Sequence, residues 1–537
     1  MVDSNIVIIA LSFIFCLPTI WFTSRFNMHM LQLNTYINSE HFGWLSENLR
    51  KVWLLFALMF LGLLQVFFQN WILDIVSLLF LVLTYFIFKA MKRIYSKKPL
   101  HFTARVKRMF VCDYVICAVV TFLIYFLLGK CALPGAFSFI CGAQMLLVPL
   151  ANLVNSPIEK AIKNKYINEA KAILKKCENL VVIGVTGSYG KTSVKFYLGE
   201  LLSSKYNVLV TPESYNTPMG IVKTIRESLS VNHDFFICEM GARYVGEIKE
   251  ICDIVHPDHG IITSVGPAHL STFGSLENIQ KTKFELADAV LEKKGKMFIN
   301  IDSPLLEEHA SKRKLSGIND DFVTFSNDEN SGADFTSLIE QVGDNGTTFK
   351  CLKKGAESQE FHTRLVGAHN VINLTAGVSV ANNFGCSLSS LIAPLRKIKA
   401  VPHRMELKQA GNVTIIDDAF NSNPIGSKAA LETLSLFNAI KILVTPGMVE
   451  LGEDEEKYNF EFGQYAAKNC DWIILVGKLR TLPIKNGAMS QGFDQSKIES
   501  YNTFEEAINF AYKIKDENKR SVILLENDLP DNYFSAA

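Results

Sequence analysis

The first 155 residues constrain this chain more than any other feature. They hold five apolar stretches, at about 4–22, 52–69, 71–88, 110–128 and 132–154, each at or close to membrane-spanning length. A helix needs roughly 20 predominantly apolar residues to cross the hydrocarbon core. The second and third stretches are parted only by Gln69 and Asn70. As one helix, 52–88 would be roughly 55 Å long, too long for one crossing, so the pattern predicts a tight hairpin. The first stretch has no basic flank and no small-residue cleavage site, and further apolar stretches follow it. It therefore reads as a span and not as a cleaved signal peptide.

Loop charge gives the expected orientation. Segment 89–108 carries Lys89, Lys92, Arg93, Lys97, Lys98, Arg105, Lys107 and Arg108 with no acid, and 156–176 is also Lys-rich. Both belong on the cytoplasmic side by the positive-inside rule. The N-terminus is then outside and everything after residue 155 inside: a multi-pass cell-membrane protein whose polar domains are cytoplasmic. Lys130, in a short outer loop, runs against the trend. Asp74 and Asp113 lie near the ends of the predicted spans and read as carboxylates reaching the interface.

The excess hydropathy (mean +0.18) sits in this region, and the remainder is polar. With 54 Lys and Arg against 53 Asp and Glu, the net charge is +1, which gives no general affinity for nucleic acid. The 11 cysteines are scattered without a C-x-x-C pair, so zinc-ribbon and thioredoxin-like readings have no support. Unpaired cysteines in the polar part fit a reducing cytosol. The layout is a transmembrane domain over 1–155, a linker helix over 156–177, a central domain over 178–398 and a C-terminal domain over 399–537.

From residue 178 short apolar runs alternate with helical periodicity, which predicts parallel α/β architecture. The run 180–185 reads as a buried strand leading into Thr186-Gly-Ser-Tyr-Gly-Lys-Thr-Ser193 and then an amphipathic helix. That is a phosphate-binding loop in its proper setting: glycines let the backbone turn so that N–H groups and the helix N-terminus face phosphate. Thr186, Gly187, Ser188, Gly190, Lys191, Thr192 and Ser193 form it. Lys191 adds positive charge, and the Thr192 hydroxyl can ligate Mg²⁺. Three more candidates fall at or just past strand ends, or on the helix that follows: Glu239 closing 235–239, His269 after strand 260–265, and Lys283 on a helix around 276–290.

With these segments in order, the chain resembles the Mur ligases. TGSYGKTS, EMGARYVGEI and ITSVGPAHLSTFGSLENIQKTKFEL match their central domain, and Val366–Asn373, Pro402–Glu406, Asp417–Pro424 and Met448–Gly452 follow in family order. The branch most similar is the one that adds D-Ala-D-Ala to the peptidoglycan precursor. The resemblance implies a P-loop central domain and a Rossmann-like C-terminal domain. It also implies ATP-dependent joining of a carboxylate acceptor to an amino acid or dipeptide through an acyl phosphate. It assigns Lys191 to the β/γ-phosphates, Thr192 and Glu239 to one Mg²⁺, and His269 and a carbamylated Lys283 to a second. Asn370 and Asn373 would lie near the adenine, Arg404 at the phosphates and Asp418 at the ribose. Asn216, Thr217, Asn421 and Asn423 are candidates for substrate binding.

Two departures bear on the substrate. The apolar spans leave no room for the soluble domain that grips the UDP group, which points to a lipid-linked or polymeric acceptor at the membrane. The ending Val522–Tyr533 differs from the Gly/Ser-containing ending of the peptidoglycan branch, and Phe420 stands where that branch has tyrosine. The alternatives are a D-Ala-D-Ala-adding ligase with an anchor, a transporter driven by a P-loop ATPase, and a regulatory nucleotide-binding module. The transporter lacks an ABC-type signature, and retention of every phosphate- and metal-facing residue type argues against the regulatory module.

Overall fold

A computed structural model describes residues 4–90, 99–308, 321–343, 346–356, 358–420, 422–514 and 519–528. The chain forms two compact units, essentially 1–164 and 165–529.

The first unit is helical: α1 (Ser4–Leu33), α2 (Asn38–Glu47), α3 (Leu49–Phe68), α4 (Trp71–Ala90), α5 (Ala104–Leu128), α6 (Leu133–Gly142) and α7 (Gln144–Lys176). Helices α1, α3, α4 and α5 are each long and apolar enough to cross a membrane. The hairpin between α3 and α4 turns at Gln69, whose left-handed backbone caps α3. The fifth apolar stretch is not the single helix expected over 132–154. It is α6 and the start of α7, meeting at 71° beside Ala143, and α7 runs on without a break through the expected linker. α6 lies against α3 backbone to backbone. A Cβ on Gly62 would come within 2.4 Å of Phe139 N, and one on Gly142 within 2.4 Å of Met59 N. Small residues at such a crossing allow the close helix approach common in membrane bundles.

Asp113 and Asp74 do not reach an interface as the sequence suggested. Asp113 lies well inside α5, fully buried, and accepts from Ser24 Oγ at 2.6 Å. Asp74 is buried and accepts from Gln65 Nε2. A carboxyl without a partner inside an apolar bundle would carry a large desolvation cost, so each is tied to a donor on another helix. Lys92, Arg93, Lys97 and Lys98 lie outside the described residues.

The second unit contains two α/β domains. Strands β1 (Val181–Thr186), β2 (Val208–Val210), β3 (Phe235–Glu239), β4 (His259–Ile262), β5 (Met297–Asn300) and β6 (Phe322–Ser326) form a parallel sheet ordered β2-β3-β1-β4-β5-β6. Their Val/Ile/Phe runs are continuous because helices cover both faces. An antiparallel extension, β7 (Phe335–Gly343), β8 (Gly346–Lys353) and β9 (Ser358–Thr363), was not foreseen. The C-terminal end of α7 packs Tyr166, Ile167 and Ala170 into the central-domain core.

The C-terminal domain is a six-stranded sheet ordered β10-β11-β15-β12-β13-β14, with only β10 (Glu406–Ala410) antiparallel. The others are β11 (Val413–Asp418), β12 (Ile440–Thr445), β13 (Trp472–Val476), β14 (Ile498–Tyr501) and β15 (Ser521–Glu526). Helices alternate with these parallel strands, as the Rossmann-like reading requires. In both domains the strand C-termini carry the candidate residues, the usual place for a ligand crevice.

Candidate active site

The phosphate loop joins β1 to α8 (Lys191–Leu202). Gly187 and Gly190 have φ of +148° and +80°, and a Cβ on Gly187 would lie 2.0 Å from Thr263 Oγ1. Only glycine satisfies both the conformation and the space. A Cβ on Gly190 would lie 2.5 Å from Asn373 Oδ1, so Asn373 borders the phosphate loop. Thr186 is buried and donates to Met240 O at 2.9 Å. Ser188 N donates to Ser264 O and Ser188 Oγ to Gly266 O, both at 2.9 Å. Tyr189 Oη donates to Pro267 O at 2.6 Å. These bonds tie the phosphate loop to the segment that carries His269. Lys191 Nζ donates to Gly187 O at 2.8 Å and Ser188 O at 3.2 Å, and burial lowers its pKa to about 8. Ser193 is buried behind the loop.

Glu239 is the hub, 1% exposed at the end of β3. Its Oε1 accepts from Thr192 Oγ1 at 3.1 Å and Asn216 Nδ2 at 3.0 Å. Lys195 Nζ, fully buried one turn after the phosphate loop, lies 2.9 Å from Oε2 as an ion pair. Burial would raise the carboxyl's pKa, but Lys195 and Lys191 outweigh it and hold it below the usual value. Sequence reading missed Lys195, because a lysine on an amphipathic helix reads as solvated. The chemistry of this donor set fits Mg²⁺: a hydroxyl and a carboxylate oxygen side by side, within reach of a phosphate loop.

Lys283, on α12 (Leu276–Glu292), is 3% exposed, and no hydrogen bond or ion pair holds it among the described residues. Its nearest aromatic neighbour is the Phe273 ring, 5.8 Å from Nζ. Burial and then the Lys191 charge lower its pKa to about 7. His269 Nδ1 is paired with Glu450 Oε2 at 2.6 Å, and Arg243 Nη2 lies 3.3 Å from Glu450 Oε1. Glu450 belongs to the C-terminal domain, so this is a clasp between domains. Burial opposes ionisation of Glu450, but the His269 bond and Arg243 hold its pKa low. As they stand, His269 and Lys283 do not form an oxygen-rich second Mg²⁺ site, since the histidine is engaged and an ammonium repels the ion.

From the C-terminal domain, Arg404 lies with its guanidinium 4.2 Å from the Phe420 ring centroid and makes no hydrogen bond or ion pair among the described residues. Burial lowers its pKa, while the charges of Glu239 and Asp418 oppose that shift. An unpaired guanidinium near the phosphate loop is suited to anionic oxygens. Asp418 Oδ1 accepts from Met405 N at 3.1 Å, and burial raises its pKa to about 6.

Three of the sequence candidates carry structural hydrogen bonds. Asn370 is buried with both amide ends engaged: Oδ1 accepts from Tyr197 Oη at 2.8 Å and Nδ2 donates to Val366 O at 2.9 Å. It braces α8 against the helix Ala368–Asn383. Thr217 caps α9 (Pro218–Ser228), its Oγ1 accepting from Gly220 N at 3.3 Å. Asn423 caps Pro424–Ser435, its Oδ1 accepting from Gly426 N at 2.7 Å. Thr-Pro and Asn-Pro, a capping residue followed by proline at the first helical position, were the overlooked signals. Asn216 is pinned to Glu239, and Asn421 lies outside the described residues.

This arrangement has close counterparts. The Mur ligase middle domain matches residues 185–381, and the Mur ligase glutamate ligase domain matches 403–525. The UDP-N-acetylmuramoyl-tripeptide–D-alanyl-D-alanine ligase of Escherichia coli (strain K12) is 31% identical over 299 residues, 55% of this chain and 64% of that protein. Its Bacillus subtilis (strain 168) counterpart is 30% identical over 325 residues, 60% and 67%. The chain thus spans only about two thirds of the length of these relatives. MurF from Acinetobacter baumannii aligns with a TM-score of 0.61 at 26% identity, over 69% of this chain and 78% of that one. The MurF ligase from Thermotoga maritima in complex with ADP gives 0.59 at 25%, over 68% and 80%. The chain belongs to the Mur ligase family, whose members are ATP-dependent amide-bond ligases.

Proposed function

We propose that the protein is a membrane-tethered, ATP-dependent ligase that joins a carboxylate to an amine on a cell-envelope precursor or polymer. The observation that carries this reading is the setting of Glu239: Thr192 and the phosphate loop on one side, and an unpaired Arg404 contributed by the second domain. A carboxylate is a poor electrophile until one of its oxygens becomes a good leaving group. Transfer of the γ-phosphoryl group to the acceptor makes an acyl phosphate, the amine attacks its carbonyl, and phosphate departs as the amide forms. Lys191 and Arg404 are placed to neutralise phosphoryl oxygens as charge develops. Thr192 and Glu239 would hold Mg²⁺, which screens the phosphate charge when bound. Closure of the C-terminal domain, with Glu450 clasping His269, excludes water from the activated carboxyl.

Lys283 suits carbamylation. A buried amine whose pKa is lowered to about 7 has a substantial neutral fraction near neutral pH, and CO₂ adds to the neutral nitrogen with loss of a proton. The carbamate oxygens would complete a second metal site with His269.

The four long apolar helices support a membrane location, and side chains such as Phe67 and Phe126 point outward into what would be lipid. Neither family domain matches residues 1–184. Both support an acceptor presented at the membrane, lipid-linked or polymeric. The names of the relatives favour a second reading, a D-Ala-D-Ala-adding ligase on a nucleotide-linked tripeptide with an added anchor. The family assignment leaves the transporter alternative without support.

Phosphate release by the detergent-purified chain with ATP and Mg²⁺ tests the proposal. UDP-linked, lipid-linked and polymeric acceptors are crossed with amino acids and dipeptides, and Lys283→Ala is the control. Release that requires one acceptor–amine pair and is lost in the variant supports the ligase. Full turnover of the soluble UDP-tripeptide with indifference to lipid-linked acceptors favours the second reading. Hydrolysis indifferent to all pairs sinks both.

A further inference from the structure

Strands β11 and β15 are parallel neighbours in register, with Asp418 opposite Glu526 at their C-terminal ends. Side chains at matched positions of adjacent strands project from the same face about 5 Å apart, so the two carboxyl groups meet. Glu526 is 1% exposed. Ser422 Oγ donates to its Oε1, Oε2 meets no N–H or hydroxyl donor, and a side-chain hydrogen bond links the Glu526 and Asp418 carboxyls. No cationic side chain pairs with it among the described residues. Asp418 is only half-buried, fixed by Met405 N, and Asn527 N reaches its backbone oxygen at 3.3 Å.

Among the described residues, Arg404 and Asp417 are the charged side chains that act on the pair. Arg404 acts on Asp418 from the phosphate-loop side. Asp417 lies behind, paired with Lys408 and hydrogen-bonded to His403. None of these cations reaches Glu526. Two ionised carboxylates side by side with no cation between them are untenable, so one keeps its proton. Glu526, more deeply buried and without a cation, is that one. Burial and the neighbouring Asp418 push its pKa well up.

We propose that Glu526 is a positioning residue for Asp418. It is an uncharged carboxylic acid, braced by Ser422, whose hydroxyl donates to the Asp418 carboxylate and aims it at the ribose hydroxyls of the nucleotide. The proposal rests on the nucleotide placement given above. It concerns a strand end where this chain departs from the peptidoglycan branch.

The test uses the full chain in detergent, with two readouts that do not require ligation. Infrared difference spectra at neutral pH, wild type minus Glu526→Gln, should contain a carboxylic-acid carbonyl band contributed by Glu526. ADP affinity against pH is then measured for Glu526→Gln, Glu526→Leu and Ser422→Ala. The amide of Gln still donates, so Glu526→Gln should stay within about threefold of wild type. Glu526→Leu should weaken ADP about tenfold, the cost of a lost hydrogen bond to a charged group. It should also move the acid limb of binding to higher pH, because Asp418 loses its donor. Ser422→Ala should shift both in the same direction, by less. No acid band, a Leu variant indistinguishable from wild type, or a Gln variant as damaged as Leu overturns the proposal. ADP binding with this pattern but no amide formation with any acceptor would sink the ligase reading and leave this one standing.

Discussion

Glu239 and the Asp418–Glu526 pair occupy equivalent places in two successive α/β domains, at the C-terminal ends of central strands, yet their electrostatics are opposite. Glu239 is enclosed by two lysines and held ionised against the cost of burial. Asp418 and Glu526 are enclosed with no cation on the inner carboxyl, and both are pushed toward the protonated form. Strand-end placement therefore sets where a ligand binds, and the cation inventory around the carboxyl sets what it can hold. On the proposed function, Glu239 would suit a metal–phosphate group, and the second site neutral hydroxyl donors. The predictions below probe that contrast.

Lys195→Met should have the largest effect. It removes the buried cation and leaves Glu239 ionised with one fewer partner. Loss of one member of a buried pair costs about 3–5 kcal/mol, which thermal unfolding of the detergent-purified chain will read. ATP turnover should fall by at least about a hundredfold, as the metal carboxylate is no longer oriented. The double variant Lys195→Met/Glu239→Gln should regain most of the stability and none of the turnover. If the double variant is no more stable than the single, the ion pair is not what holds this carboxyl.

This residue also marks the limit of what the sequence reveals. Lys191, Thr192 and Glu239 were legible because a glycine-bearing loop between strand and helix, and an acid closing a buried strand, have local signatures. Lys195 has none, since its burial comes from the 211–217 segment folding over α8, where Nζ meets Glu213 O. Glu450 lay in a recognised segment, but its partner His269 is set by how two domains meet. The bend at Ala143 was hidden because hydropathy reports apolar length and is blind to direction. Asn370, Thr217 and Asn423 also serve the backbone, a role that Thr-Pro and Asn-Pro announce locally for the last two.

The pH dependence of stability should separate the two sites by sign. Glu239 has a folded pKa below its usual 4.5, so its contribution is present above that value and is lost as pH falls through the depressed one. Asp418 rises from 3.8 to about 6, so its contribution is complete below 3.8 and is lost as pH climbs through about 6. Glu239→Gln should therefore flatten the acid limb of the stability profile, and Asp418→Asn the decline between those two values. Denaturant midpoints across this range will show it. Slopes of the same sign in both variants would erase the contrast.

Glu450→Gln should have a smaller effect. Its bond to His269 and its pairing with Arg243 are partly exposed, so the clasp contributes about 0.5–1 kcal/mol. The KM for ATP should rise about two- to fivefold with stability almost unchanged, the mark of a contact that matters for domain closure.

Phe420→Leu should be the mildest. Arg404 is a charged group of the C-terminal domain on which the Glu239 charge acts, and its guanidinium stacks on Phe420. The Phe420 ring is 46% exposed, so the contact is worth about 0.5–1 kcal/mol and its loss should raise the KM for ATP about two- to fivefold. Phe420→Tyr should leave KM unchanged, because the face that carries the guanidinium is the same. The tyrosine hydroxyl of the peptidoglycan branch then has no part in holding the arginine, and its replacement here bears on the amine side of the crevice. A Tyr variant that improves ATP binding would instead place that hydroxyl on the nucleotide, and the contrast between a cation-lined and a cation-poor strand end would need a third group at the junction.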